Sequence, residues 1–126
     1  MAAYKWKILV IEDDADGQMM MSTILGHHNI FVDIAGNAEE AEQFLFQSDN
    51  TYDAAIIDLA LPDKDGWQVL SEIMEDSRTA KLPCIAATAY HTSKLREDAI
   101  HAGFKAYFPK PIDGTKFLRE LETLLS

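Results

Sequence analysis

The sequence predicts an α/β domain, a doubly wound sheet of five parallel strands joined by five helices. Short runs dense enough in apolar residues to need cover on both faces alternate along it with longer stretches of helical spacing. Such alternation implies parallel strands connected by helical crossovers. With 126 residues, no internal repeat and no Pro/Gly/Ser-rich linker, residues 1–126 read as a single domain around one core.

The first strand is "WKILVI", Trp6–Ile11, and the first helix runs over Ala15–His27. Its expected inner face carries Met20, Ile24 and His27 or His28. "IFVDIA", Ile30–Ala35, is the second strand. The second helix starts at "NAEE", where Asn37 and Glu40 fit a capping box, and turns Ala41, Phe44 and Leu45 inward. "AAIIDLA", Ala54–Ala60, is the third strand, ended by Pro62 and Gly66. A third helix spans Trp67–Glu75 with Val69, Leu70, Ile73 and Met74 apolar. "CIAATA", Cys84–Ala89, gives the fourth strand. A helix over Ser93–Ala102 follows, and Gly103 is its C-cap. "AYF", Ala106–Phe108, is the fifth strand. The last helix repeats Phe117, Leu121 and Leu124, flanked by Leu118 and Leu125.

Composition narrows the function. Net charge is -10, from 21 acidic against 11 basic residues, which argues against nucleic acid as a direct partner because a phosphate backbone requires a positive patch. No apolar run approaches the ~20 residues of a membrane span, and the opening "MAAYKWK" lacks the apolar stretch of a secretory signal. The single cysteine, Cys84, excludes an internal disulfide. A cytoplasmic protein, with no membrane contact, is the plain expectation.

In a doubly wound sheet, ligands bind at the carboxyl ends of the strands, where strand order reverses. The residues leaving the strands are Glu12-Asp13-Asp14, Asp58, Thr88-Ala89 and Pro109-Lys110-Pro111. Carboxylates grouped with one lysine make a hard-cation site by ligand type, and oxygen ligands suit Mg²⁺. Asp58 closes an otherwise apolar run, so it is either a turn residue or a carboxylate held out to react. A carboxylate can attack a phosphoryl group, aided by Mg²⁺, by a cation such as Lys110 and by a hydroxyl such as that of Thr88.

Four motifs in this order resemble the receiver domain of two-component response regulators, over essentially the whole chain. They are "ILVIEDD" with the acidic pair Glu12 and Asp13, "IIDLALPDKDG" with Asp58, Pro62 and Gly66, "AATAY" with Thr88, and "AYFPKP" with Tyr107, then Lys110 before Pro111. The resemblance implies a flavodoxin-like (βα)5 fold and a phosphoacceptor, Asp58, served by a histidine kinase or histidine phosphotransfer protein. It implies Mg²⁺ held by Asp13, Asp58 and the backbone carbonyl of Ala60, with Glu12 acting through water. Thr88 and Tyr107 would be the switch pair, with the Tyr107 ring turning inward on phosphorylation. That motion would alter the face formed by the fourth helix, fifth strand and fifth helix, where a downstream protein docks. It implies a cis Lys110–Pro111 peptide, and a module that switches rather than an enzyme turning over a free substrate. By the resemblance Ala60 and Tyr90 would border the approach of hydrolytic water. Either Tyr90 lies across it and, with no side-chain donor or acceptor on Ala60, the phosphoryl is long-lived, or Tyr90 points outward to a partner and Ala60 merely fills space.

Glu12 stands where aspartate is more usual in that family, and Lys64 where an apolar residue is common. Rival readings are a pseudo-receiver that only binds partners and a small Mg²⁺ phosphohydrolase, though no substrate-binding insertion is visible. "DKDG" mimics a calcium loop with Glu72 at its closing position, but Leu61 occupies the first ligand place. Asp14 and Asp16 read as the start of the first helix, where negative charge favours the dipole. Trp67, Met19, Met20, Met21 and Cys84 read as packing residues, and the four histidines form no metal set.

Overall fold

The computed structural model describes residues 4–47 and 49–126, so the beginning of "MAAYKWK" lies outside it. Five strands form one parallel sheet: β1 (Trp6–Ile11), β2 (Ile30–Ala35), β3 (Ala54–Asp58), β4 (Cys84–Thr88) and β5 (Ala106–Pro109), in the order β2-β1-β3-β4-β5. Between and after them lie α1 (Ala15–Gly26), α2 (Ala38–Phe46), α3 (Gly66–Glu75), α4 (Ser93–Ala102) and α5 (Gly114–Leu125). The chain steps outward from β1 to β2, then returns past β1 to add β3, β4 and β5. Strand order therefore reverses between β1 and β3, which pair from Ile8↔Ala54 to Ile11↔Ile57.

Alternate strand residues point to opposite faces, so each strand feeds two cores. Ile8, Val10, Ile56 and Ile85 pack with Met21 and Leu25 of α1 and Phe117 and Leu121 of α5. Leu9, Ile11, Ile57 and Ala86 pack with Leu45 of α2, Val69 and Ile73 of α3 and Ala99 of α4. Each large side chain so buried contributes roughly 1.5–3 kcal/mol.

Several expected boundaries shift, each for a local reason. β3 ends at Asp58 because that side chain takes the next free amide itself: Ala60 N donates to Asp58 Oδ1 at 2.9 Å. β4 stops at Thr88, whose hydroxyl accepts from Tyr90 N at 3.0 Å. β5 runs on to Pro109, and Lys110 N still donates to Thr88 O at 2.8 Å. α1 turns Met21 and Leu25 inward, with Ile24 half-buried; Met20 is exposed, as are His27 and His28 beyond the last turn. Three consecutive methionines carry no phase, so spacing alone set that face one residue early. Met19 is 69% exposed, so of the three only Met21 is a packing residue. Asn37 caps α2 by accepting from Glu40 N, but the Glu40 carboxylate accepts from Gly36 N rather than closing the box on Asn37. Gly103 does end α4, at φ +122°, a backbone that other residues rarely adopt.

Candidate functional site

Each strand that borders the reversal delivers one part of the site. Glu12 follows β1 and is buried, its backbone still joined to the sheet by Glu12 N donating to Ala35 O. Its Oε2 accepts from Asp14 N at 3.2 Å, and Gln18 Nε2 donates to its carbonyl at 2.7 Å, fixing the chain as it turns into α1. Asp14 then caps α1, accepting from Gly17 N at 3.0 Å, and Asp16 occupies the first turn. The crowded acids thus separate: Asp14 and Asp16 begin the helix, while Glu12 and the exposed Asp13 remain at the sheet edge.

Asp58 is the buried last residue of β3. The loop behind it closes through Gly66 N, which donates to Leu59 O at 3.1 Å. A Cβ on Gly66 would fall 2.5 Å from the Asp58 carbonyl oxygen, so only glycine lets α3 begin this close to the carboxylate's backbone. Lys110 enters from the end of β5, past a cis Lys110–Pro111 peptide. Its ammonium donates to Asp58 Oδ2 at 3.0 Å and to Glu12 Oε1, so one cation ties β1, β3 and β5 together.

Burial pushes the Glu12 carboxyl above the ordinary glutamate range, and its contact with Asp58 adds to this against the pull of Lys110. Burial also opposes the charge on Lys110, but hydrogen bonds to Glu12 and Asp58 outweigh it and hold the ammonium above its usual range. One oxygen from each of Glu12, Asp13 and Asp58 lies within 4.8 Å of the others. Three carboxylates against one ammonium leave two uncompensated negative charges, the charge that a divalent cation cancels. Close-set hard oxygens, two from buried groups and one from an exposed one that can keep water company, fit Mg²⁺ by donor type and spacing. Beside them a cleft of about 350 Å³ is walled by Met20, Met21, Pro111 and Ile112.

Thr88 is 1% exposed at the end of β4, its oxygen accepting from Tyr90 N. Tyr107, on β5, is 4% exposed, so its ring is already under cover rather than turned out. The cover is His91 and Arg96. The Tyr107 hydroxyl lies 3.0 Å from His91 Nδ1, the two ring centroids are 5.5 Å apart, and the Arg96 guanidinium sits 5.0 Å from the Tyr107 centroid. Tyr90 is 73% exposed, and its backbone amide donates to the Thr88 hydroxyl at 3.0 Å. Ala60, also exposed, reaches Asp58 through its backbone amide.

Sequence reasoning missed the partners of Asp63 and Lys64, two residues in the loop that carries Asp58. Asp63 accepts from Ala38 N at 2.9 Å and from Glu39 N at 3.0 Å, capping α2 from outside its own segment. Lys64 bridges Glu42 of α2 at 2.6 Å and Glu72 of α3 at 2.5 Å. An Asp-Lys pair between Pro62 and Asp65 carries no sequence signal of partners more than twenty residues away. Glu72, the calcium-loop mimic, is engaged with that lysine. Cys84 is buried and its thiol is pushed up to about 12 by desolvation, so it is an unreactive packing residue.

A family model described as the response regulator receiver domain matches residues 8–122. An uncharacterized 14.6 kDa protein of Leptolyngbya boryana is 32% identical over 112 residues, covering 89% of this chain and 84% of that protein. The transcriptional regulatory protein CusR of Escherichia coli is 29% identical across 94% of this chain, which spans 51% of that protein's length. Hybrid signal transduction histidine kinase M of Dictyostelium discoideum is also 29% identical across 94% of this chain, which spans 5% of its length. Among solved structures, a putative response regulator from Chloroflexus aurantiacus is similar with a TM-score of 0.88 at 26% identity, covering 95% of this chain and 97% of that one. The receiver domain of a sensor histidine kinase from Pseudomonas aeruginosa, with a magnesium ion coordinated in its active site cleft, has a TM-score of 0.86 at 27% identity and 98% coverage of both chains.

Proposed function

The chain belongs to the receiver domain family of two-component response regulators, a signalling module rather than a turnover enzyme, and we propose that Asp58 is its phosphoacceptor. The donor is a phosphohistidine of a histidine kinase or histidine phosphotransfer protein. One Asp58 oxygen attacks the phosphorus, and the P–O bond forms as the P–N bond breaks. The bonding pair leaves with the imidazole nitrogen, whose ring ends neutral when its other nitrogen carries the proton. The product is an aspartyl phosphate on Asp58.

The observation that carries this reading is the setting of the Asp58 carboxylate. It is buried, held by Ala60 N on one oxygen and by the Lys110 ammonium on the other, with Glu12 and Asp13 at hand. Asp13, Asp58 and the Ala60 carbonyl, with Glu12 acting through water, would hold Mg²⁺, and the ion would supply charge that draws a phosphoryl group to this acidic edge. Lys110 orients Asp58 beforehand and pairs with a phosphoryl oxygen afterwards. Thr88, its oxygen already occupied as an acceptor, donates its proton to the phosphoryl. The displacement of Thr88 is passed to Tyr107 and so to the surface of α4, β5 and α5, where a downstream protein binds. The setting is the cytoplasm, the unit is the single domain of residues 1–126, and neither nucleic acid nor membrane is a direct partner.

The test is incubation with Mg²⁺ and a small acyl phosphate, followed by intact mass. The wild type gains one phosphoryl group. Asp58→Asn, which keeps the volume and loses the nucleophile, gains none while its circular dichroism is unchanged. Undiminished labelling of the variant assigns the acceptor elsewhere. Catalytic release of phosphate in excess of protein points to a hydrolase instead.

A further inference from the structure

Glu12 is one methylene longer than the aspartate more usual at its place, and that extra length has to be housed. The residue is 4% exposed and its side chain is gripped at both oxygens. Oε1 accepts from the Lys110 ammonium, and Oε2 accepts from Asp14 N at 3.2 Å. The backbone behind it is fixed as well: Glu12 N donates to Ala35 O at 3.0 Å, and Gln18 Nε2 donates to Glu12 O at 2.7 Å. The space for the side chain comes from the first turn of α1. A Cβ on Gly17 would fall 2.5 Å from Glu12 Oε1, 2.8 Å from Cδ and 3.0 Å from Cγ, so it would overlap the outer half of that side chain. Gly17 is held where it is, because its own amide donates to Asp14 Oδ2 at 3.0 Å in the helix cap. Nothing in its backbone asks for glycine. Gly103 is the one glycine at positive φ among the described residues, and glycine within a helix is less favourable than alanine. The room it leaves is the physical reason for it.

We infer that Gly17 is a positioning residue of the acidic site: the absence of a side chain there lets Glu12 hold Lys110 and stand beside Asp13 and Asp58. The hold on Lys110 is a matter of packing alone, while the bearing of Gly17 on Mg²⁺ rests on the reading of the site proposed above. With a Cβ at position 17, the Glu12 side chain has to rotate out of its place. Its backbone being fixed on both sides, that rotation takes Oε1 off the ammonium. Two things then change together. Lys110 is left with Asp58, and one of three carboxylate oxygens that lie within 4.8 Å of one another leaves the group. An aspartate at position 12 stops one methylene short of the collision. Positions 12 and 17 are therefore matched: the glutamate requires the glycine, and an aspartate tolerates a side chain.

Gly17→Ala in the whole chain tests this, first in metal-free protein. A nuclear Overhauser contact between the Glu12 γ-methylene and the Lys110 ε-methylene is expected in the wild type and lost in the variant, with circular dichroism showing both folded. Mg²⁺ affinity, read by calorimetry, should fall about tenfold, the scale of losing a group that orients a metal ligand. Glu12→Asp supplies the rescue: in that background Gly17→Ala should change Mg²⁺ affinity by less than about twofold, because the two positions no longer collide. Gly26→Ala, at the other end of α1 where an added Cβ meets nothing within 4 Å, should leave both readings as in the wild type. A Gly17→Ala protein that keeps the Lys110 contact and wild-type Mg²⁺ affinity overturns the proposal. An equal loss in the wild-type and Glu12→Asp backgrounds does so too, since the added carbon would then be disturbing α1 rather than Glu12. Should Gly17→Ala fail to fold, a folded double variant upholds the pairing and an unfolded one overturns it. A wild type that binds no Mg²⁺ sinks the metal reading of the site, and the Lys110 contact then decides the role of Gly17 by itself.

Discussion

Asp58 shares its carboxylate between two different donors, a backbone amide fixed by the loop and an ammonium on a long side chain. Ala60 supplies the amide, so its side chain adds nothing to hold a water in line with the acyl phosphate bond, and placement is a large part of such catalysis. Ala60→Asn should therefore shorten the phosphoryl lifetime; a change of ~1.4 kcal/mol in barrier is tenfold. Tyr90 is 73% exposed, and on the reading that it points outward Tyr90→Ala should leave the lifetime within about twofold of wild type. Decay of labelled protein followed by mass at saturating Mg²⁺ checks both. At this scale the placement of Glu12, Asp13, Asp58, Thr88 and Lys110 at the carboxyl edge of the sheet was legible, because each ends or follows an apolar run that had to be a strand. The orientation of Tyr90 and the cover that His91 and Arg96 give Tyr107 were not. Those depend on rotamers chosen by neighbours that only the folded chain brings together.

Among the elements, α2 has a beginning that is fastened from elsewhere. Its first three amides have side-chain partners: Asp63 takes those of Ala38 and Glu39, and Asn37 takes that of Glu40. Asp63→Ala leaves two of them to water and should cost about 1 kcal/mol in urea melts, with faster hydrogen exchange at residues 38 and 39. The Ala38 amide, then that of Glu39, holds the Asp63 carboxyl below the usual aspartate range. A depressed value means stability that is complete above the unfolded aspartate value of about 3.9 and is lost as pH falls through the folded one. The gap between wild type and variant should close in that acid window and stay constant near neutrality; a gap that widens on acidification contradicts the assignment. Strands and helices were legible because their apolar periods differ. Their ends moved where a side chain took a ladder amide, as Asp58 and Thr88 do, and the face of α1 moved because Met19, Met20 and Met21 all satisfy an apolar pattern.

The molecule as a whole is a parallel sheet whose two central strands and one edge strand meet through a single cation. Lys110 bonds to Glu12 and Asp58 and is partly buried, so removing it leaves two buried carboxylates facing each other. Breaking a fully buried pair costs 3–5 kcal/mol, and the 23% exposure of Lys110 reduces that to about 2–3 kcal/mol for Lys110→Ala. Mg²⁺ should stabilise the variant more than the wild type, since a dication bound at Glu12, Asp13 and Asp58 answers the charge that the lysine answered before. Thermal melts with and without Mg²⁺ read this directly; equal shifts in the two proteins would place the metal elsewhere. The apolar pattern made the two-layered core legible, but the gathering of Arg96, Lys105, Lys116 and Arg119 into one groove was invisible in a net charge of -10, which averages over the surface.

The bond from Lys110 to Glu12 joins residues 98 positions apart, and that distance along the chain sets when the site comes into being. A ribosome releases Glu12 and Asp58 long before Lys110, and until the last strand is added the two acids lack their shared cation. During synthesis the partial chain holds the carboxylates without the ammonium that bonds to both. The shared neutralisation of the two acids therefore arrives with completion: β5 is at once the final strand of the sheet and the element that delivers their cation.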